Sequence, residues 1–400
     1  MQFYAPLICS LLLMISFALP VAAKPTKTTK TADQRINELS HRLSAFESNW
    51  NRFRIGGDLT VKSNTFFNDT EQNLNELNFD QELNLNLDAF LDRNLSVSMK
   101  LTHFGNWGDK FTDPSNGARQ MDTPLQLDEA FLRMEYPTAL NYLGRFRFSL
   151  SPLGLISDFY SSPVEGFSFQ KVYNQYHAIA LYSRINNKFT FQTDENTTQV
   201  VESGNYWVFR LGWANSGHII GLNLLPNGIT GEKGLSLDWS HEWADQKVVV
   251  ETAWRSFTPP DYSVAEKVNL APGLLVSYGK VLNQNSYVQV KGGYFADGFR
   301  PSYSSLAHAS GDDREWFLPN SYGVELLFRN QLRPGWTLEN RLVALKPVHY
   351  YPTSTDIYHL ATYLTKSFSP VNQLQLGVEY KKLDLVTSNN RIFLAWNLRF

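Results

Sequence analysis

From residue 53 to the end of the chain, apolar and polar positions alternate with a period of two. Phe53, Ile55, Leu59 and Val61 alternate with Arg54, Asp58, Thr60 and Lys62. Leu83, Leu85 and Leu87 alternate with Glu82, Asn84, Asn86 and Asp88, and Leu95, Val97, Met99 and Leu101 with Ser96, Ser98, Lys100 and Thr102. Successive side chains of a strand point to opposite faces, so this pattern marks strands with one apolar and one polar face. Many runs reach ten residues or more. Strands of globular sheets run to about 5–6 residues, whereas a tilted strand needs about 9–11 to cross a bilayer.

The pattern predicts strands at 53–63, 75–91, 94–104, 126–136, 140–149, 176–184, 187–194, 205–214 and 217–225. It continues at 234–243, 246–256, 272–282, 285–295, 320–331, 335–346, 355–368, 371–382 and 389–400, for a total of 18. The 176–184 run is apolar on both faces and 217–225 is short, so 16 is the alternative count. Short turns, among them Asn186–Asn187, alternate with long loops near 105–125, 150–175, 257–271 and 296–319. Short turns at one end and longer loops at the other fit an antiparallel transmembrane β-barrel.

The chain before residue 53 reads differently. Leu7 to Leu19 is an apolar run of 13 residues, broken by Pro20 and followed by Val21, Ala22 and Ala23. It is too short to span a bilayer and reads as a signal peptide over 1–23. Residues 24–52 form a polar, Thr-rich linker and then a helix expected to be periplasmic. In that helix Ile36, Leu39, Leu43, Phe46, Trp50 and Phe53 recur at alternating spacings of 3 and 4. Such a seam suits a short coiled coil, and a helix this short is marginal alone in water. Its partner is a second copy, the inside of a barrel that it plugs, or its own domain.

Composition agrees with a barrel. Hydrophobic residues make up 43% and mean hydropathy is −0.30, which excludes a bundle of apolar spanning helices. Aromatics reach 14%, with 10 Trp, 19 Tyr and 27 Phe. Alternation between lipid-facing and lumen-facing positions lowers the average while keeping the aromatics. A formal charge of −2 gives no basic excess, so no nucleic-acid partner is expected. The one cysteine, Cys9, lies in the leader, which leaves no disulfide framework, and no cofactor or metal site is expected.

Enzyme signatures are weak. None of the 8 His residues has an i,i+4 partner on a predicted helix. His241-Glu242 opens like a zinc-protease motif, but Trp243, Ala244 and Asp245 follow. Asp312, Asp313 and Glu315 read as a solvated loop tip before they read as a calcium loop. No G-x-S-x-G elbow is present, and no enzyme is expected.

The last strand places Ile392, Leu394, Trp396, Leu398 and Phe400 on one face and ends on Phe. This strand resembles the assembly signal of Gram-negative outer-membrane barrels. With the strand series, the resemblance to the porin superfamily covers residues 53–400, and within it the chain is most similar to the substrate-selective or siderophore-uptake type. It implies outer-membrane lipid, small solutes and the barrel-assembly machinery as partners, a possible homotrimer, and a loop after the fifth strand that folds inward. That loop is expected at 150–175, carrying Asp158 and Glu165. Parity then places Glu129, Arg133 and Glu135 in the lumen. With Tyr142, Phe146 and Phe148 assigned to lipid, Arg145 and Arg147 also face the lumen. Opposed bases and carboxylates would set a transverse field. The expected function is diffusion or selective uptake of small hydrophilic solutes. The alternatives are a siderophore-type uptake barrel with a helical plug, and a structural or adhesive barrel.

Overall fold

The computed structural model describes residues 52–68, 77–107, 125–157, 163–193, 196–228, 232–257, 268–297, 299, 320–350, 356–382 and 388–400. They form one sheet of 18 antiparallel strands closed on itself. In chain order these are β1 (Phe53–Asn68), β2 (Leu77–Asp92), β3 (Leu95–Trp107), β4 (Gln126–Tyr136), β5 (Ala139–Phe146), β6 (Val164–Tyr173), β7 (Tyr176–Thr193), β8 (Asn196–Asn215) and β9 (His218–Asn227). There follow β10 (Gly234–Glu242), β11 (Gln246–Phe257), β12 (Val268–Asn283), β13 (Ser286–Phe295), β14 (Ser321–Arg333), β15 (Trp336–Pro347), β16 (Ile357–Ser369), β17 (Asn372–Lys382) and β18 (Ser388–Arg399). Each strand pairs with its neighbours in sequence, and β1 pairs with β18 to close the barrel.

The count of 18 agrees with the sequence pattern, although two local expectations fail and cancel. The first concerns 150–175, expected as a loop, which contains β6. Phe167 and Phe169 alternate there with Gly166, Ser168 and Gln170. Charged Glu165 and Lys171 share the outer face with the two phenylalanines and obscure the period. The second concerns 176–184 and 187–194, which form the single strand β7, with no turn at Asn186–Asn187. Those two residues pair with Ser203 and Glu202 of β8. An Asn pair favours a turn locally, but a continuous ladder satisfies the backbone of every residue along it.

All eight turns at one end are two or three residues long, and Asn174 turns one of them in the left-handed region at φ 53°. The nine connections at the other end include the longest ones. The outer face is apolar over much of its area: Leu211, Ile220, Leu360, Val378, Leu394 and Trp396 are all exposed. A surface facing water rarely carries so large an apolar area, and a barrel standing in lipid requires it. Phe400 completes the seam. Its backbone exchanges two 2.9 Å hydrogen bonds with Gly57, and its ring covers the same glycine. A Cβ at position 57 would stand 2.9 Å from that ring and 2.2 Å from the Asn84 carbonyl oxygen.

The helix seam Ile36, Leu39, Leu43, Phe46 and Trp50, the leader and the linker lie outside the described residues, as does Asp158.

Candidate pore constriction

The chain leaves the wall after β5. Gly144, at φ +126°, lets β5 run against β4 where a Cβ would meet the Ala130 carbonyl oxygen at 2.4 Å. Two residues later Phe146 is 1% exposed, and Phe148, Leu150, Leu155 and Ile156 are buried beyond it. These side chains pack against Val164, Leu181, Tyr206, Val208 and Leu225, which line the inner faces of β6–β9. The segment 147–157 is therefore a small hydrophobic core formed inside the barrel. The apolar cluster runs on at the loop end through Phe295, Phe299, Val343 and Leu345.

Polar anchors fix this inward segment. Glu251 of β11 is fully buried and accepts from the Ser151 hydroxyl at 2.8 Å, the Leu153 N–H at 3.2 Å and the Ser236 hydroxyl at 2.9 Å. The Ile156 carbonyl accepts from the Tyr206 hydroxyl at 3.3 Å and from Arg255 Nη1 at 3.2 Å. Behind Ser236 the chain of bonds continues through Asn223 to the buried Arg210–Asp238 pair, in which the carboxylate accepts from both guanidinium Nη atoms. An ion pair of this kind holds its place only when its remaining hydrogen-bonding groups are satisfied. Asn223 and His177 complete the set around Arg210.

Arg147 stands at the base of the inward segment. It reaches Glu129 at 3.0 Å and Asp128 at 2.5 Å, and Lys100 pairs with Asp128 at 3.3 Å. Burial opposes the charge on Arg147, but the hydrogen bonds and charges of Asp128 and Glu129 prevail and hold its pKa above the ordinary arginine value. It is a fixed positive charge at any working pH.

The sequence-predicted charges separate. Glu129 and Arg147 meet at the loop base. Arg133 and Glu135 pair with each other at 2.7 Å near the turn end of β4, away from the loop. Arg145 and Glu165 lie on the outer face. In register, Arg145 stands opposite Ala130 and Glu165, while Phe131 stands opposite Gly144 and Arg133 opposite Tyr142. The rings of Phe131, Tyr142 and Phe146 pack together on the inner face, with centroids 5.4–6.3 Å apart. The expectation that Tyr142, Phe146 and Phe148 face lipid is thus reversed, and Arg145 changes side with them. The cause is the core inside the barrel, which supplies the lumen face with an apolar partner.

Sequence reasoning missed Asp128, Lys100 and Glu251. A bulge puts Asp128 beside Glu129 on the inner face. Glu251 did leave a signal. It is the one charge among Val249, Glu251 and Ala253 on a single face, and a buried carboxylate there needs partners.

Elsewhere the inner wall is charged. On β13–β18 Glu325 lies near Lys291 and Arg341, and Glu379 pairs with Arg391 at 2.7 Å and Lys381 at 3.2 Å. On β1–β4 the inner rows carry Asp58, Asp80, Glu82, Asp88, Asp128 and Glu129 beside fewer bases. A cavity of about 500 Å³ opens between Ser149, Leu153 and Gly154 on the loop and Ser277, Gln289 and Lys291 on the wall.

The sequence matches no protein-family model and no curated protein. Solved structures do resemble it. OccK11 (OpdR) of Pseudomonas aeruginosa has a TM-score of 0.61 at 9% identity, over 88% of this chain and 97% of that one. A BenF-like porin from Pseudomonas fluorescens Pf-5 gives 0.61 at 10% identity, over 87% of this chain and 98% of that one. Pseudomonas aeruginosa OpdK, solved with vanillate, gives 0.59 at 9% identity, over 86% and 98%. At such identities the likeness is one of fold: this chain shares the barrel of these three proteins, one of them a porin by name.

Proposed function

We propose that the chain is an outer-membrane channel that admits small hydrophilic solutes selectively. The observation that carries this reading is the inward segment 147–157, which fills one side of a closed barrel and leaves a polar cavity of about 500 Å³ beside it. A passage reduced in this way favours some solutes by size and charge. Carboxylates prevail on β1–β4 and bases on β13–β18, which supports a field across the open part of the lumen. A barrel of similar fold that was solved with vanillate supports selectivity over general diffusion. The apolar outer face, the signal-like leader and the terminal Phe400 on the seam support an outer-membrane location and delivery by the barrel-assembly machinery. A homotrimer belongs to the same reading. The channel reading stands ahead of an enzyme and ahead of an adhesive barrel.

Liposome swelling tests it, with neutral sugars, amino acids, organic anions and organic cations of matched size. A selective channel passes one charge class several-fold faster than a neutral solute of the same size. Equal rates in all classes would indicate an unselective pore, and no swelling would refute a channel.

A further inference from the structure

We propose that the outer face of the barrel carries a binding site for the phosphate of an outer-leaflet glycolipid, built on Arg184 and Arg145 around Glu165. The inference rests on the outer-membrane reading above.

Strand register places the site. On the outer faces of β6, β7 and β8, Tyr173, Tyr176 and Trp213 stand next to the short turns. Lys171, Ala178 and Leu211 follow, then Phe169, Ala180 and Phe209, then Phe167, Tyr182 and Trp207. The Tyr182 and Trp207 rings lie 4.5 Å apart. These are two aromatic rows with a band between them that is apolar but for Lys171 beside the turn-end row, an arrangement like the aromatic girdles at the membrane interfaces of a barrel. The next row beyond Tyr182 and Trp207 is Glu165, Arg184 and Asn205, with Arg145 beside Glu165 on β5. Charge reappears on the outer face where the aromatic row ends, on the side of the long loops, which in bacterial barrels is the external side.

The chemistry of that row points to an anion. Arg145 Nη1 pairs with Glu165 at 3.2 Å, and its Nε donates to the Asp128 carbonyl at 2.7 Å. Arg184 flanks Glu165 on the other side, is exposed, and makes no ion pair among the described residues. Among the described residues, Arg145 therefore takes up the one carboxylate of this row, and Arg184 stands beside it as a second guanidinium with no carboxylate partner. The Tyr182 hydroxyl donates to Asn205 at 3.0 Å, which ties the aromatic row to this polar row. A planar guanidinium matches the oxygens of a phosphate and is the side chain suited to bind one at an interface. Phosphates of the outer-leaflet glycolipid are the anions held at this depth and facing this surface.

The test uses the full chain, purified in detergent with a divalent-cation chelator present. Native mass spectrometry reads binding of bisphosphorylated lipid A, its dephosphorylated form and inorganic phosphate. Wild type should prefer the bisphosphorylated form, and R145Q/R184Q should bind it about tenfold more weakly or worse, the loss expected for charge-assisted hydrogen bonds. Glu165→Gln removes the competing carboxylate and should tighten binding. Equal binding of both lipid forms by wild type, no loss in R145Q/R184Q, or inorganic phosphate displacing the lipid at equal concentration would each overturn the proposal. Heat-modifiable migration confirms that each variant is folded. Wild type that discriminates the lipids but passes no solute would refute the channel reading and leave this site standing.

Discussion

Two sectors of the inner wall follow the same alternation and end in opposite environments. On β6–β9 the inward positions include Leu181, Ser183, Tyr206, Val208, Arg210 and Asn223, all buried beneath or beside the segment 147–157. On β13–β18 and β1–β4 many inward positions are charged, and several of them stay partly exposed, as at Arg329, Arg341 and Lys62. Period two determines which face a residue occupies. It does not determine whether that face is wet. A loop that enters the barrel turns part of the lumen wall into a core, and inward aromatic residues become as natural there as outward ones.

The contrast is most sharply broken at Glu251. Replacing it with Ala removes the acceptor for Ser151, Leu153 and Ser236. A hydrogen bond contributes about 0.5–1.5 kcal/mol, so the inward segment should lose about a few kcal/mol of docking while the β ladder persists. Single-channel conductance should rise and become noisy, with unchanged heat-modifiable migration. A quiet trace of wild-type amplitude would show that the apolar contacts alone hold the segment.

Next in size is the difference between two neighbouring arginines. Arg147→Glu places a third carboxylate beside Asp128 and Glu129 and should move the reversal potential in a salt gradient toward cations. The permeability ratio should change on the order of a few-fold, and more at low salt, where screening is weaker. Arg145→Glu, on the outer face, should leave the reversal potential at the wild-type value. Equal shifts in both variants would mean that the parity drawn from Phe146 is wrong.

A seam defect should act on stability and spare selectivity. Gly57→Val forces a Cβ against the Asn84 carbonyl oxygen and the Phe400 ring. Overpacking of this kind costs about 1–3 kcal/mol, which should lower the temperature at which the barrel loses its compact migration. Reversal potentials should not move. The smallest effect is expected at Tyr206→Phe. Ile156 keeps its bond from Arg255, so docking should weaken by about 1 kcal/mol, visible as a modest rise in current noise.

Much of this architecture is legible in the chain. Most of the strand series from Phe53 to Phe400 follows from alternation, which the ladder enforces at every residue, and the count of 18 agrees through two offsetting errors at β6 and β7. The placement of Glu129 on the inner face follows from it too, whereas Arg147 turns inward because the chain leaves the wall after β5 and not through alternation. The faults lie where tertiary contacts override the local pattern. Asn186–Asn187 read as a turn because its partners Ser203 and Glu202 are distant in sequence. β6 was hidden by charges that belong on its outer face. Alternation assigns Tyr142 and Phe146 to lipid because nothing in the sequence near them shows that the chain turns into the barrel directly after Phe146. Glu251, buried among valines and alanines, was the clue that some buried donor had to reach it.

The central claim is that solute passes along the charged sector beside the loop and not behind it. It is tested by thiol modification during current recording, on the full chain with Cys9 replaced by serine. Gln289→Cys lines the cavity beside Leu153, whereas Ser183→Cys lies on the inner wall at a fully buried position. A water-soluble, charged methanethiosulfonate reagent should block current through Gln289→Cys within seconds and leave Ser183→Cys conducting. Block of Ser183→Cys with no effect on Gln289→Cys would place the path behind the loop and contradict the account.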